Sequence, residues 1–219
     1  MSNSPMFLSA AVLGAFAVVG VALVATTYQV TSPLIARNER LSLLQKLEVL
    51  VPADTVDNDM VSDYINVHAP ALLGADKIRV YRGRKRGAPV AAIFRTLVPD
   101  GYGGPIQLLV AVRHNGMLDG VRVLSHKETP GLGDRIEERK SDWILGFSGK
   151  SLNDPPLAKW GVKRDGGVFD QFTGATITPR AVVKAVKNTL LFVQQQGNAL
   201  YERNKELNDH SKIPLRHHP

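Results

Sequence analysis

The chain has 219 residues, 44% of them hydrophobic, with 27 basic and 20 acidic side chains and a formal net charge of +7. This length fits one ordinary domain plus an appendage, and the hydrophobic content excludes a chain that is disordered throughout. Cysteine is absent, which excludes disulfides, thiolate catalysis and cysteine-ligated iron–sulfur clusters. Any redox role must therefore depend on a bound organic cofactor or on a partner.

The N-terminal segment predicts one membrane-spanning helix. No charged residue occurs from Phe7 to Thr27, and about twenty residues of this kind are enough to cross a bilayer as a helix. A cleaved signal peptide is the alternative, but it fits less well because no basic region precedes the apolar run. We therefore expect a tail at residues 1–6 and a retained anchor at residues 7–27.

The charges that flank this segment bear on its orientation. Residues 1–6 carry no Lys or Arg, whereas Arg37, Arg40 and Lys46 follow the span. By the positive-inside rule alone, the rest of the chain would lie in the cytoplasm.

Residues 28–76 predict a helical connecting region. Ser32-Pro33 is a helix-start signal, apolar residues recur at helical spacing after it, and Pro52 ends the pattern. A second helical segment is expected at residues 56–67.

From Lys77 the apolar period changes, and we expect an antiparallel sheet wrapped by helices. Asn115-Gly116 is typical of the primed turns that join antiparallel strands. The basic run at residues 82–86 is interpreted as a solvated hairpin turn, with attraction to anionic lipid headgroups as the alternative. It lacks the interleaved aromatics of a nucleic-acid interface. Strands are predicted at residues 78–80, 90–94, 106–112 and 121–124.

Further helices are predicted at residues 134–147, which include Trp143, and from Pro179 onwards. A short edge strand is expected at residues 159–162. Residues 197–219 predict a C-terminal helix and a fraying tail. Histidines in that tail could bind metal adventitiously, but the chain shows no metal-ligand spacing.

The densest functional signal lies between Asp170 and Pro179, where hydroxyl and carboxylate side chains surround Gly174. Thr178 can cap a helix, and Pro179 suits a first helical position. Thr173 and Thr176 would then precede a helix N-terminus, where free N–H groups and the helix dipole favour a phosphate. From spacing alone, a capped turn before an amphipathic helix is the simpler explanation.

Two other stretches combine glycine with potential ligand contacts. Residues 101–104 (Gly-Tyr-Gly-Gly) could form a plain turn, but glycine also lets a backbone approach a flat ring, on which Tyr102 could pack. Residues 128–133 (Glu-Thr-Pro-Gly-Leu-Gly) leave a predicted strand, and their simplest interpretation is a Pro-Gly turn.

These three stretches, in this order within residues 77–196, resemble the FMN-binding domains of Rnf complexes and of sodium-pumping NADH:quinone oxidoreductases. The run from Asp170 to Thr176 is similar to their flavinylation motif, Asp-x-x-Thr-Gly-Ala-Thr. The resemblance implies an α+β fold, in which one N-terminal transmembrane helix precedes an FMN-binding domain with an antiparallel sheet wrapped by helices.

The resemblance also implies roles for individual residues. Thr176 would carry FMN through a phosphoester bond, made by a transferase that takes the FMN from FAD, and Asp170 resembles the acidic residue that this transferase needs. His126 and Lys127 match no catalytic pattern and are interpreted as solvated, although a cation there would stabilise a reduced flavin. The flavin ring would contact Tyr102, Glu128, Thr129, Leu132 and Gly133. Thr129 would donate or accept a hydrogen bond at its polar edge. The phosphate end would contact Thr173, Gly174 and Ala175.

The motifs are most similar to those of the FMN-carrying G subunits of Rnf ferredoxin:NAD⁺ oxidoreductases. The FMN-carrying C subunit of the sodium-translocating enzyme is the alternative, but it tends to be longer. The implied protein is a single-pass electron carrier of the bacterial inner membrane with a periplasmic domain and no stand-alone catalytic activity. Its partners would be other membrane subunits, one with its own covalent FMN. A non-redox, membrane-anchored interaction module is the remaining hypothesis.

Overall fold

A computed structural model describes residues 5–202 and 207–208. The chain divides into two compact units between Gln45 and Lys46. Helix α1 runs from Pro5 to Glu48 and has Pro33 inside it, so the prediction that Ser32-Pro33 opens a new helix was wrong. A proline removes one backbone hydrogen bond, but its φ angle is helical. The helix therefore continues through it.

The apolar part of α1 has its side chains exposed, and this helix is long and apolar enough to cross a membrane. Large side chains such as Phe7, Leu13 and Phe16 are more than two-thirds exposed. In water such exposure would be unfavourable, because each apolar side chain gains about 1.5–3 kcal/mol on burial. The segment therefore has the surface expected of a helix solvated by lipid.

The helix predicted at residues 56–67 is absent from the structure. Turns follow α1, and strand β1 runs from Tyr64 to His68. Ile65 and Val67 are buried and alternate with less buried neighbours, which is the two-residue period of a strand. Their β-branched side chains fit a pleated surface better than a helix.

The predicted antiparallel sheet is confirmed. The strands after β1 are β2 (Ile78–Lys85), β3 (Ala88–Val98), β4 (Ile106–Arg113), β5 (Leu118–Ser125) and β6 (Leu207–Asn208). Strand order is β5-β4-β3-β2-β1-β6, with every neighbouring pair antiparallel except β1 and β6. Asn115-Gly116 lies in the predicted turn between β4 and β5, but the turn is not of a primed type, because Gly116 has a φ of +85° while Asn115 does not have a positive φ.

The basic run is a solvated hairpin turn only at its end, where Lys85 and Arg86 are exposed, whereas its beginning is buried. Arg82 is only 7% exposed, and Asp63 accepts from Arg82 Nε at 2.7 Å and from Arg84 Nε at 2.9 Å. The turn itself lies at Arg86 and Gly87. Because Asp63 lies just before the neighbouring strand β1, only long-range pairing explains this burial.

In the part of the chain that the structure describes after α1, two α-helices accompany the sheet. Helix α2 is short and runs from Pro70 to Leu73. Helix α3 runs from Ile177 to Gln196 and packs an apolar stripe on the sheet. Phe192 meets Phe94 of β3 edge to face, with 6.1 Å between ring centroids. The core is contributed mainly by β2, β3, β4 and this face of α3.

Several predictions for the C-terminal half need correction. The helix at residues 134–147 is instead a pair of 3-10 helices, and the strand at 159–162 is a 3-10 helix followed by a single bridge from Val162 to Phe169. In place of the expected C-terminal helix, the structure has a 3-10 helix at Gly197–Tyr201 and strand β6 at Leu207–Asn208. Residues 203–206 and 209–219 lie outside the described residues, as do residues 1–4. The 3-10 helices are Gly133–Ile136, Asp142–Phe147, Leu157–Lys159, Lys163–Asp165 and Gly197–Tyr201.

Candidate functional site

A cavity of about 250 Å³ lies where three loop segments meet. The segments are the glycine turn before β4, the turn after β5 and the start of α3. Every residue predicted to contact the cofactor lines this cavity except Thr173, and Ile177 and Thr178 line it in addition. The lining residues are Tyr102, Glu128, Thr129, Leu132, Gly133, Gly174, Ala175, Thr176, Ile177 and Thr178.

Glu128 holds the three segments together. Its side chain is 4% exposed. One carboxylate oxygen accepts a hydrogen bond from the backbone N–H of Gly103 at 3.0 Å, and the other accepts one from the hydroxyl of Thr178. A buried carboxylate is costly unless hydrogen bonds compensate it. The loop containing Gly103 and the start of α3 are therefore both tied to the turn after β5.

Close approach of these segments requires glycine at two positions. A Cβ atom at Gly103 would lie 1.8 Å from the carbonyl oxygen of Lys127, and one at Gly133 would lie 2.8 Å from a carboxylate oxygen of Glu128. Neither neighbour could move without disturbing the turn. We expected the glycine turn to admit a flat ring, whereas here these glycines allow one segment to approach another.

The flavinylation-like motif forms a tight turn anchored in the core. The N–H of Ala175 donates to the carbonyl of Phe172 at 3.1 Å, and Gly174 adopts a φ of +79° that favours glycine. Phe172 is buried and lies 5.2 Å from the Trp143 ring, centroid to centroid. This anchor leaves Thr173 exposed at the turn and outside the cavity lining.

The threonines of this segment differ in what their hydroxyls do. Thr176 is the N-cap residue of α3, and its side chain makes no capping hydrogen bond. Thr178 was predicted to be the cap, but it lies inside the helix and its hydroxyl donates to Glu128. The helix begins earlier because Pro179 is tolerated anywhere in the first turn, where N–H groups lack intrahelical acceptors.

Asp170 lies outside the cavity on an exposed surface. Its side chain is 67% exposed and pairs with Lys163 at 2.6 Å, while its carbonyl accepts from Trp143 Nε1 at 2.8 Å. Nearby, Arg180 in the first turns of α3 donates two hydrogen bonds to Asp165, at 2.6 and 2.9 Å. This bidentate contact lowers the pKa of the Asp165 carboxyl below its ordinary value.

His126 and Lys127 precede the cavity-lining turn. Lys127 is exposed, as expected. The interpretation of His126 as solvated was wrong, because its side chain is 11% exposed and both ring nitrogens have partners. The Glu128 N–H lies two residues on in the chain, whereas Glu137 is 11 positions away, so local spacing does not predict the second contact.

Comparison with known proteins agrees with this geometry. A family model described as an FMN-binding domain matches residues 101–191, which include all three cavity segments. A second, described as the RnfG N-terminal region, matches residues 1–50.

Three relatives, each named as the G subunit of an ion-translocating oxidoreductase complex, cover most of the chain. That of Pseudomonas aeruginosa is 52% identical over 188 residues, which is 85% of this chain and 88% of the relative. That of Shewanella amazonensis is 48% identical over 87% of this chain and 89% of the relative. That of Pseudoalteromonas atlantica is 45% identical over 89% of this chain and 91% of the relative. The chain therefore belongs to the RnfG family, the G subunits of ion-translocating oxidoreductase complexes.

Proposed function

We propose that this chain is a membrane-anchored electron carrier of an Rnf-type complex, with FMN bound covalently through Thr176. The observation that carries the proposal is the state of the Thr176 hydroxyl. Thr176 lines the cavity and its side chain makes no capping hydrogen bond, whereas the hydroxyl of Thr178 is buried and bonded and Thr173 lies outside. Of the three hydroxyls, that of Thr176 is the one available to a modifying enzyme at the cavity.

Attachment would be a phosphoryl transfer. The Thr176 oxygen would attack the phosphorus on the FMN side of the FAD pyrophosphate, with AMP as the leaving group and the hydroxyl proton passing to a base of the transferase. The product is a phosphodiester with one negative charge. Free N–H groups at the start of α3 and the helix dipole would stabilise that charge. Asp170, which is exposed on the same motif, is the residue that we assign to recognition by the FAD-dependent transferase.

The cavity residues would orient the ring. When bound, FMN supplies one- and two-electron redox chemistry. Tyr102 and Leu132 are 69% and 42% exposed at the cavity, and they offer apolar surface that a flat ring would cover. Glu128 is held by two hydrogen bonds and would present its carboxyl group in a fixed position, while Thr129 offers a hydrogen bond to the polar edge of the ring.

The membrane anchor α1 would determine where in the cell the protein acts. The exposed apolar part of α1 and the complex named for the relatives support a single-pass protein in the bacterial inner membrane. We place the domain after residue 27 in the periplasm, against the charge bias of Arg37, Arg40 and Lys46. The partners would be the other membrane subunits of the complex, including one with its own covalent FMN.

The test is flavinylation of matched threonine variants. The chain is co-expressed with the transferase, denatured, and assayed for flavin fluorescence and an FMN mass adduct. Wild type and Thr173→Ala should carry the adduct, Thr176→Ala should lose it, and Thr176→Ser should retain part because the hydroxyl remains. An adduct on the Thr176→Ala chain would contradict the assignment. Wild type without flavin would favour the non-redox interaction module.

A further inference from the structure

His126 links the cavity to the far side of the turn. It follows the last residue of β5, Ser125, by one position. Its Nδ1 lies 3.0 Å from the backbone nitrogen of Glu128, and its Nε2 lies 2.7 Å from Glu137 Oε1. The imidazole therefore bridges the backbone of a cavity-lining residue and a carboxylate just after the 3-10 helix Gly133–Ile136.

These contacts fix the tautomer of the ring. A backbone N–H can only donate, so Nδ1 of His126 must accept and cannot carry a proton. The proton of the neutral imidazole is then on Nε2 and is donated to Glu137. The second carboxylate oxygen of Glu137 is paired with Arg139. The ring is thus held by a carboxylate that does not line the cavity.

The contact matters because Glu128 lies beyond the sheet. The strand ladder ends at Ser125, so the N–H of Glu128 has no strand partner there, and a buried N–H without an acceptor is unfavourable. The His126 ring supplies this acceptor two residues earlier in the chain, as an Asn side chain does in an Asx turn. It thereby fixes the backbone from which the buried Glu128 carboxylate projects.

We propose that His126 is a positioning residue for the cofactor: through the Glu128 N–H it sets the direction of the Glu128 carboxylate and of the turn at Thr129 that face the flavin ring. This inference rests on the proposed function. Arg122, Glu138 and Arg139 line the open groove of about 530 Å³ that His126 and Glu137 share. Substitutions at His126 therefore act on the cavity from outside it.

The experiment compares His126→Leu with His126→Asn in the full-length flavinylated chain in detergent. Leucine removes both contacts, whereas asparagine loses Glu137 but can still accept from the N–H two residues on. One measurement is amide hydrogen exchange in the peptide containing Glu128. The others are visible circular dichroism and the reduction midpoint of the flavin. His126→Leu should raise the exchange rate about tenfold, the equivalent of one lost hydrogen bond, and should shift both flavin signals. His126→Asn should return the exchange rate, the circular dichroism and the reduction midpoint to the wild-type values.

The outcomes separate positioning from plain stabilisation. If His126→Leu lowers stability but leaves the flavin spectrum and midpoint as in wild type, the proposal is wrong, and it is equally wrong if His126→Asn is as defective as His126→Leu. Should the leucine variant fail to accumulate, His126→Phe replaces it. The phenyl ring keeps a flat side chain but has no acceptor for the Glu128 N–H, so it should produce the same flavin shift, and an unchanged spectrum would refute positioning. Wild type without any flavin would overturn the proposed function and this inference together. Flavin in wild type with an insensitive His126→Leu variant overturns this inference alone.

Discussion

The hydroxyl of Thr178 donates a hydrogen bond to the carboxylate of Glu128, across 50 positions of sequence. Both side chains are buried, at 0% and 4% exposure. The bond joins the start of α3 to the turn after β5, the two elements that supply most of the cavity lining. The bond therefore fixes the position of these two elements relative to each other.

Thr178→Val should destabilise the fold by about 1–3 kcal/mol, because it leaves one oxygen of a buried carboxylate without its donor. Thr178→Ser keeps the hydroxyl and should recover most of that loss. Thr189→Val is the matched control, since Thr189 is also fully buried in α3 but donates only to the carbonyl of Ala185 within the helix. The measurement is the free energy of unfolding of the full chain in detergent. An equal loss in the Thr189 control would contradict the role assigned to the Glu128 contact.

Gly103→Ala should destabilise the chain by about 1–3 kcal/mol, the usual cost of overpacking. The added methyl would lie 1.8 Å from the carbonyl oxygen of Lys127, which forces the glycine turn away from Glu128. Gly146→Ala is the control, because a Cβ there meets nothing within 4 Å, and its effect should stay within about 0.5 kcal/mol. Thermal unfolding of both variants checks this. Similar melting temperatures for the two variants would show that the turn is not tightly packed.

Whether the sequence could predict a feature depends on how far apart in the chain its contacting residues lie. The Asn115-Gly116 hairpin is local, and it was found because glycine at positive φ is a rule of adjacent residues. Two other contacts are long-range: Arg82 and Asp63 are 19 positions apart, and Thr178 and Glu128 are 50 positions apart. Periodicity and capping rules describe only nearby residues and therefore could not predict these contacts. The capping rule misplaced the start of α3 for this reason: the hydroxyl of Thr178 is used by a distant carboxylate instead.

The error at residues 56–67 has another origin. Short apolar runs fit helix and strand patterns alike. Residues 64–67 form a strand because they pair with β2, where Ile65 lies opposite Val80. The three cavity segments were grouped through family resemblance, because spacing alone does not show that a glycine turn, a strand end and a helix start meet.

Stability should depend on the ionisation of Glu137. Hydrogen bonds from Arg139 first, and from His126 second, lower the pKa of the Glu137 carboxyl below its ordinary value of 4.5. A carboxyl whose pKa is lower in the folded state stabilises fully above pH 4.5, and this contribution is lost as the pH falls through the folded-state pKa. Glu137→Gln should therefore be less stable than wild type at neutral pH, and the gap should close on acidification. Arg139→Gln should weaken the same dependence. If the stability curves of wild type and Glu137→Gln run parallel from about pH 7 to about pH 3, the Glu137 carboxylate does not contribute to stability in this way.

A reporter fused after Pro219 tests the orientation. If the domain is periplasmic, alkaline phosphatase should be active at this position and green fluorescent protein should be dark, because each folds on one side of the membrane only. Changing Arg37, Arg40 and Lys46 to Gln provides a control for the charge bias, and it should leave the result unchanged if partner subunits or the helix itself fix the topology. Phosphatase inactivity with bright fluorescence would place the domain, and with it the site of flavinylation, in the cytoplasm.

The flavin should act as a relay between partners and not as the site of substrate oxidation. The sequence has no nicotinamide-binding fingerprint and no evident acid–base pair for work on a substrate. A phosphoester tether would let the ring remain near the surface, beside the exposed Tyr102, without loss to solvent. The visible flavin absorption of the purified full chain in detergent should therefore bleach on addition of dithionite but not of NADH. Rapid bleaching by NADH with no other subunit present would show a self-contained dehydrogenase and would end the relay interpretation.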